Sequence, residues 1–174
     1  AYHLLDAIID SKLEVVGIGK IKDIFVGRAV SSSYPTKNNE DGVEKILSAM
    51  GLDFTGLIFA NLIDFDQQYG HRNDVAGYAG ALEDFDRMLP LITDKLNDED
   101  ILFITADHGC DPTTPSTDHS REHVPILVYG KGLRSNVNLG VRASFADLGQ
   151  TIADYLGIDL RTQPGESFYP LLQR

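Results

Sequence analysis

Residues 55–66 have the sequence TGLIFANLIDFD, an apolar run of strand length that ends in two carboxylates. Three more apolar runs predict further strands, at residues 14–19, 101–106 and 124–130. Such runs, rather than alternating apolar and polar residues, are typical of a parallel sheet whose two faces are both covered by helices.

Segments with a helical repeat of apolar residues separate these strands, at residues 3–12, 42–50, 78–96 and 144–156. Pro90 lies inside the third segment and is expected to kink or divide it. The polar stretch 31–39 contains Pro35 and predicts a loop. Strands that alternate with helices predict an α/β fold with a largely parallel sheet and helices on both faces, in a single domain spanning residues 1–174.

Composition narrows the partners that we expect. The formal net charge is −11, which argues against nucleic acid because phosphate binding needs a basic face. No apolar run approaches the roughly 20 residues that span a bilayer, so we predict no membrane segment. Cys110 is the single cysteine, which rules out an internal disulfide and fits a reducing compartment, so we expect a cytoplasmic protein.

Polar side chains follow three of the predicted strands at the point where each strand ends. They are Lys20 after the first strand, Asp64 and Asp66 after the second, and Asp107 and His108 after the third. Open α/β sheets bind their ligands at the carboxyl ends of the strands. We therefore expect these side chains to share one site.

Three histidines lie in loops that also contain acids. His71 follows Asp66 by five residues, His108 adjoins Asp107, and His119 lies eleven residues past His108. Carboxylate oxygen and imidazole nitrogen are both ligands of divalent metals. Taken singly, each segment is also explained by an acid that caps a helix or by an exposed loop histidine. Their combination favours a metal site.

Four segments resemble the sequence pattern of the phosphopentomutases, a family of the alkaline phosphatase superfamily. They are VVGIGKIKDIF (15–25), TKNNEDG (36–42), NLIDFDQQYGHRNDVAGYA (61–79) and ITADHGCDPTTPSTDHSREHVPILVYG (104–130). The resemblance covers essentially the whole chain. It implies an alkaline phosphatase-like core and an isomerase of nucleoside catabolism. This enzyme interconverts ribose 1-phosphate, or its 2-deoxy form, with the 5-phosphate through a phosphoenzyme.

The resemblance also implies a site for two Mn²⁺ ions, with Mg²⁺ or another divalent ion as an alternative. Asp66, His71 and His119 match the ligands of one ion. Asp107 and His108 match ligands of the other. Lys20 matches a lysine that contacts the phosphate of the sugar phosphate substrate.

Two parts of the family pattern have no counterpart among these residues. One is an N-terminal core segment that carries a threonine nucleophile and a further metal-binding aspartate, and the other is a cap domain. We therefore expect the C-terminal part of a core domain, inactive without the missing N-terminal part of the same enzyme. Two alternatives stay open: another metal-dependent phosphatase or mutase of the superfamily, and a non-catalytic metal-binding module.

Overall fold

Five strands and six α-helices form the regular structure of residues 2–161 and 163–174, which this computed structural model describes. The strands are β1 (Glu14–Ile18), β2 (Ser32–Tyr34), β3 (Gly56–Ala60), β4 (Leu102–Thr105) and β5 (Ile126–Tyr129). The helices are α1 (Leu4–Asp10), α2 (Ile21–Ile24), α3 (Asn39–Ala49), α4 (Val75–Lys95), α5 (Ala146–Tyr155) and α6 (Tyr169–Leu172).

The strands form two sheets. Strands β2, β1 and β3 lie side by side in that order and are parallel, with Val16 of β1 opposite Ser32 and Ile58. Strands β4 and β5 form a separate antiparallel pair. The predicted α/β fold is thus confirmed, and its parallel part is the three-stranded sheet. The antiparallel β5 departs from the predicted direction.

Strand β1 is the centre of the core and is covered on both faces. Val15 packs with Leu5 and Ile8 of α1 on one side. Val16 and Ile18 pack with Ala49 of α3 on the other. Because successive strand residues point to opposite faces, a strand with both faces covered is apolar throughout, which explains the continuous run seen in the sequence.

Three sequence predictions need correction. Residues 32–34 form the short strand β2, whereas the sequence predicts a loop over 31–39. Because β2 lies at the edge of the sheet and pairs with β1 alone, it tolerates a polar sequence. Pro90 does not divide α4, because it removes one hydrogen bond from a helix with buried residues on either side of it, Ala81 and Ile92. The strand predicted at 101–106 is only half-buried.

None of the described helices has the length and apolar character needed to cross a membrane.

Candidate metal centre

A π-helical turn places Asp66 just beyond the carboxyl end of β3. The turn spans Phe65–Tyr69 and is followed by a 3₁₀ turn, Gly70–Arg72, that carries His71. Such π-turns are uncommon and occur frequently at functional sites. The tight succession of the two turns reverses the chain, so that His71 returns to Asp66: its Nε2 lies 3.3 Å from Asp66 Oδ1.

A backbone bridge within the loop after β4 brings His119 next to His108. Gly109 and Ser120 form an isolated antiparallel bridge, and the Ser120 N–H donates to the Gly109 carbonyl at 3.1 Å. A side chain at Gly109 would meet the Ser120 carbonyl at 2.6 Å, so this approach needs glycine. The His108 and His119 rings stack, with centroids 3.7 Å apart.

The side chains from these two segments converge on one carboxylate oxygen. Oδ1 of Asp66 lies 3.1 Å from His119 Nε2 and 3.9 Å from His108 Nε2. Asp107 joins through His108, whose Nε2 is 3.6 Å from Asp107 Oδ1. Three imidazoles and two carboxylates therefore share one small region.

Hydrogen bonds on the far side of two rings fix how they present their nitrogens. Nδ1 of His71 lies 2.5 Å from the Thr117 carbonyl, and Nδ1 of His108 lies 3.0 Å from the Gly109 carbonyl. A carbonyl only accepts, so each Nδ1 donates its proton. In the neutral ring Nε2 then carries a lone pair, and that lone pair is on the side of Asp66. Metal-binding histidines are commonly oriented in this way.

The donor set fits a divalent cation. Asp66 Oδ1 is buried and accepts no hydrogen bond from the residues that the structure describes. One ligand atom each from Asp66, His108 and His119 lies within 4.8 Å of the others. An unpartnered buried oxygen beside several imidazole lone pairs is costly unless a cation sits among them.

The centre is open to solvent on the Asp107 side. The Asp107 side chain is 68% exposed and that of His119 is 49% exposed, whereas Asp66 and His108 are more covered. Sites for phosphoryl transfer usually exclude water. This centre lacks such a cover within residues 2–161 and 163–174.

Cys110 and Tyr78 lie close enough to Asp66 for its charge to act on both side chains. Burial raises the pKa of the Cys110 thiol, and the nearby charge of Asp66 raises it further. Burial likewise raises the pKa of Tyr78. Both groups are therefore protonated at neutral pH in the metal-free protein, and Cys110 has the character of a packing residue.

Lys20 lies at the carboxyl end of β1, next to β3 in the sheet. It directly follows Gly19, whose φ of 78° is left-handed and whose α-carbon approaches the Asn61 carbonyl so closely that a side chain there would clash. Because β1 and β3 are parallel neighbours, Lys20 lies at the same end of the sheet as the connection that leads to Asp66.

The structure brings together all five side chains that the sequence singled out as metal ligands. It also groups His108 with Asp66 and His119, across the three-and-two division expected for two ions. Sequence reasoning missed the two carbonyls, of Thr117 and Gly109, that orient the rings. Backbone groups leave no signal in residue identity, so only the fold reveals them.

A comparison with known families identifies the wider group. Residues 12–160 match the family described as the metalloenzyme superfamily. The chain belongs to the metalloenzyme superfamily. Membership in this superfamily agrees with the donor set at Asp66.

Comparison with curated proteins confirms the resemblance to phosphopentomutases. The chain is 56% identical to the phosphopentomutase of Acetivibrio thermocellus over 165 residues, which are 95% of this chain and 42% of that protein. It is 56% identical to that of Thermotoga maritima over 170 residues, 97% of this chain and 43% of that protein. A Desulfitobacterium hafniense phosphopentomutase is 60% identical over 156 residues, 90% and 40% of the two chains. The chain thus spans about 42% of the length of the A. thermocellus relative.

A solved structure supports the fold. The PH0037 protein from Pyrococcus horikoshii superposes with a TM-score of 0.64 at 21% identity, covering 86% of this chain and 51% of that chain. At this identity the likeness concerns the fold alone.

Proposed function

We propose that this chain is the C-terminal part of the core domain of a phosphopentomutase that interconverts (deoxy)ribose 1-phosphate and 5-phosphate. The convergence of Asp66, His71, Asp107, His108 and His119 on one region carries the proposal. Identity of 56% to phosphopentomutases over 95% of the chain supports the choice of reaction.

The five side chains would hold two divalent ions, Mn²⁺ or a comparable metal. Asp66, His71 and His119 would bind one ion, and Asp107 and His108 the other. Bound cations supply positive charge that stabilises the charge spread over a transferred phosphoryl group. The rings of His71 and His108 are held with Nδ1 protonated, so that their Nε2 lone pairs are ready for a metal without rearrangement.

Lys20 would contribute a separate positive charge to the same edge of the sheet. An ammonium on a flexible stem suits a phosphate group that has to leave and return. It would bind the sugar phosphate in either orientation without setting the position of the metal ligands.

The sheet edges support the view that a further segment of the enzyme completes this domain. Among the described strands, β3 pairs only with β1, and β4 only with β5. Large apolar side chains are exposed on β3, at Phe59, and on β5, at Leu127 and Tyr129. Unpaired edges with exposed apolar residues are unfavourable in a finished domain. We propose that this missing segment also supplies the nucleophile, and that the chain alone has no mutase activity.

A chimera tests the proposal, because a relative then supplies the missing segment. The matching 165 residues of the A. thermocellus enzyme would be replaced by the corresponding part of this chain. We expect the chimera to convert ribose 1-phosphate to ribose 5-phosphate in the presence of Mn²⁺, and the 174-residue chain to show no turnover.

Matched variants make this assay specific. Asp66→Asn should lower chimera activity by more than the roughly 10- to 100-fold typical of groups that merely support a metal ligand. Asp118→Asn removes the same charge from the loop beside His119 and should leave activity within about threefold. A folded chimera that binds Mn²⁺ but does not convert the sugar phosphate would overturn the assigned reaction.

A further inference from the structure

A reciprocal pair of hydrogen bonds joins the start of α3 to the residue that precedes the π-helical turn. The backbone N–H of Asn39 donates to Asp64 Oδ2 at 2.7 Å. The backbone N–H of Asp64 donates to Asn39 Oδ1 at 3.0 Å. Each residue thus holds the backbone of the other, across 25 positions of sequence.

Asn39 is buried, with 7% of its surface exposed. A buried amide is costly unless its polar atoms are paired, and the loss of its Oδ1 would leave the Asp64 N–H without a partner. The Asp64 carboxylate lies at the N-terminus of an 11-residue helix, where a negative charge is favourable. The pair is therefore a strong local constraint on both segments.

Close packing beside the pair prevents the two segments from sliding. A side chain at Gly42, one turn into α3, would lie 2.6 Å from Leu62 Cδ2 in the connection after β3. The first turn of α3 thus packs closely against Leu62. Asp64 cannot move without breaking the hydrogen bonds to Asn39.

We propose that Asn39 is a positioning residue for Asp66, acting through Asp64. This inference rests on the proposed metal function. Asp64 immediately precedes the π-helical turn, so fixing its backbone fixes the direction in which the turn leaves the sheet and where Asp66 Oδ1 meets the histidines. Asp64 therefore serves as a partner of Asn39, and its carboxylate is committed to the α3 N-terminus.

Four variants separate this role from general stability. Asn39→Ala removes the acceptor of the Asp64 N–H, and Asn39→Ser, which keeps a polar group, is too short to replace it. Asp64→Asn keeps a side-chain oxygen for the Asn39 N–H and loses only the negative charge at the α3 N-terminus, so its effect should be smaller than that of Asn39→Ala. Asn38→Ala removes the helix cap to Asp41, at 2.8 Å, without touching Asp64, and controls for weakening of α3.

Hydrogen exchange of the metal-free chimera gives a readout that does not depend on metal. In Asn39→Ala and Asn39→Ser we expect exchange of the amides of residues 64–69 to rise about tenfold or more. In Asp64→Asn the rise should be smaller, about two- to fivefold, because only the charge at the α3 N-terminus is lost. If Asn38→Ala accelerates these amides as much as Asn39→Ala does, the positioning role is overturned.

Mn²⁺ affinity, followed by electron paramagnetic resonance, gives the second readout. Both Asn39 variants should lose roughly 10- to 100-fold in affinity, and Asn38→Ala should lose less than about threefold. Unchanged affinity in the Asn39 variants would overturn the inference while leaving the metal site intact. Absence of Mn²⁺ binding by the unsubstituted chimera would instead count against the proposed function, and the exchange data would still decide whether Asn39 holds the turn.

Discussion

Nε2 of His119 lies 3.1 Å from Oδ1 of Asp66, although 53 positions separate the two residues in the sequence. The contact joins the π-helical turn after β3 to the bridged loop after β4, so segments that follow strands of two different sheets meet at this point. The proposed metal ion would account for this meeting, because the buried oxygen accepts no hydrogen bond from the described residues.

The division of ligands between two ions predicts an asymmetric loss. In crystals of the chimera, His119→Ala should lower Mn²⁺ occupancy at the site of Asp66 and His71 far more than at the site of Asp107. Asp107→Asn should show the reverse. Occupancies come from anomalous scattering at the manganese edge. An equal loss at both ions in His119→Ala would contradict the division and favour a single group of Asp66, His108 and His119.

A side chain at Gly70 is predicted to destabilise the protein because it would clash with a neighbour, and removing that neighbour should relieve the clash. A side chain there would overlap Cys110 Sγ and would lie 3.0 Å from the Phe65 carbonyl. Gly70→Ala should therefore lower the free energy of unfolding by roughly 1–3 kcal/mol. Adding Cys110→Ala should recover part of that loss, because the sulfur is the nearer obstacle.

Urea unfolding of the two single variants and the double variant measures the coupling. Additive effects of Gly70→Ala and Cys110→Ala would show that the sulfur is not the obstacle.

Asp6 predicts a pH dependence of stability. Burial works to raise the pKa of Asp6, but hydrogen bonds from the Arg28 guanidinium and the His3 N–H outweigh it, so the pKa lies below its usual 3.8. The folded pKa is below the unfolded one, so this contribution is present above pH 3.8 and is lost as pH falls through the folded value.

Asp6→Asn should therefore lower the free energy of unfolding by up to about 1 kcal/mol at neutral pH; the value is small because the Arg28 partner is half-exposed. At a pH well below the unfolded pKa the loss should be smaller. Urea unfolding of the unsubstituted protein and of Asp6→Asn, at neutral pH and at a pH well below 3.8, measures the loss of stability under each condition. An equal cost at both would contradict the assigned ion pair.

Lys20 predicts a loss of substrate binding without a loss of metal. Lys20→Met in the chimera should lower kcat/KM for ribose 1-phosphate by roughly 10- to 100-fold, as expected for one charge-assisted hydrogen bond to phosphate. Mn²⁺ affinity should not change. Lys22→Met, on the exposed side of α2, is the matched control and should leave both quantities unchanged. A fall in Mn²⁺ affinity with Lys20→Met would place the lysine in the metal centre instead.

Much of the fold and site could be predicted because the responsible signals are local. The apolar run of β1 indicates a strand with two covered faces, and the polar residues after β3 and β4 indicate the ligand edge. What could not be predicted depends on contacts between distant segments. The strand character of residues 32–34 comes from pairing with β1, and the direction of β5 comes from its pairing with β4.

The same distinction applies within the metal centre. His71, His108 and His119 could be selected from residue type and spacing. The backbone carbonyls that orient His71 and His108 could not be predicted, nor could the pair of hydrogen bonds between Asn39 and Asp64, because each depends on where the loops meet in space.

The most direct test of the metal centre is the anomalous difference map of the unsubstituted chimera crystallised with Mn²⁺. We predict two peaks: one within bonding distance of Asp66, His71 and His119, and one within bonding distance of Asp107 and His108. A map with no peak among these five side chains, at a Mn²⁺ concentration that supports turnover, would contradict the central claim.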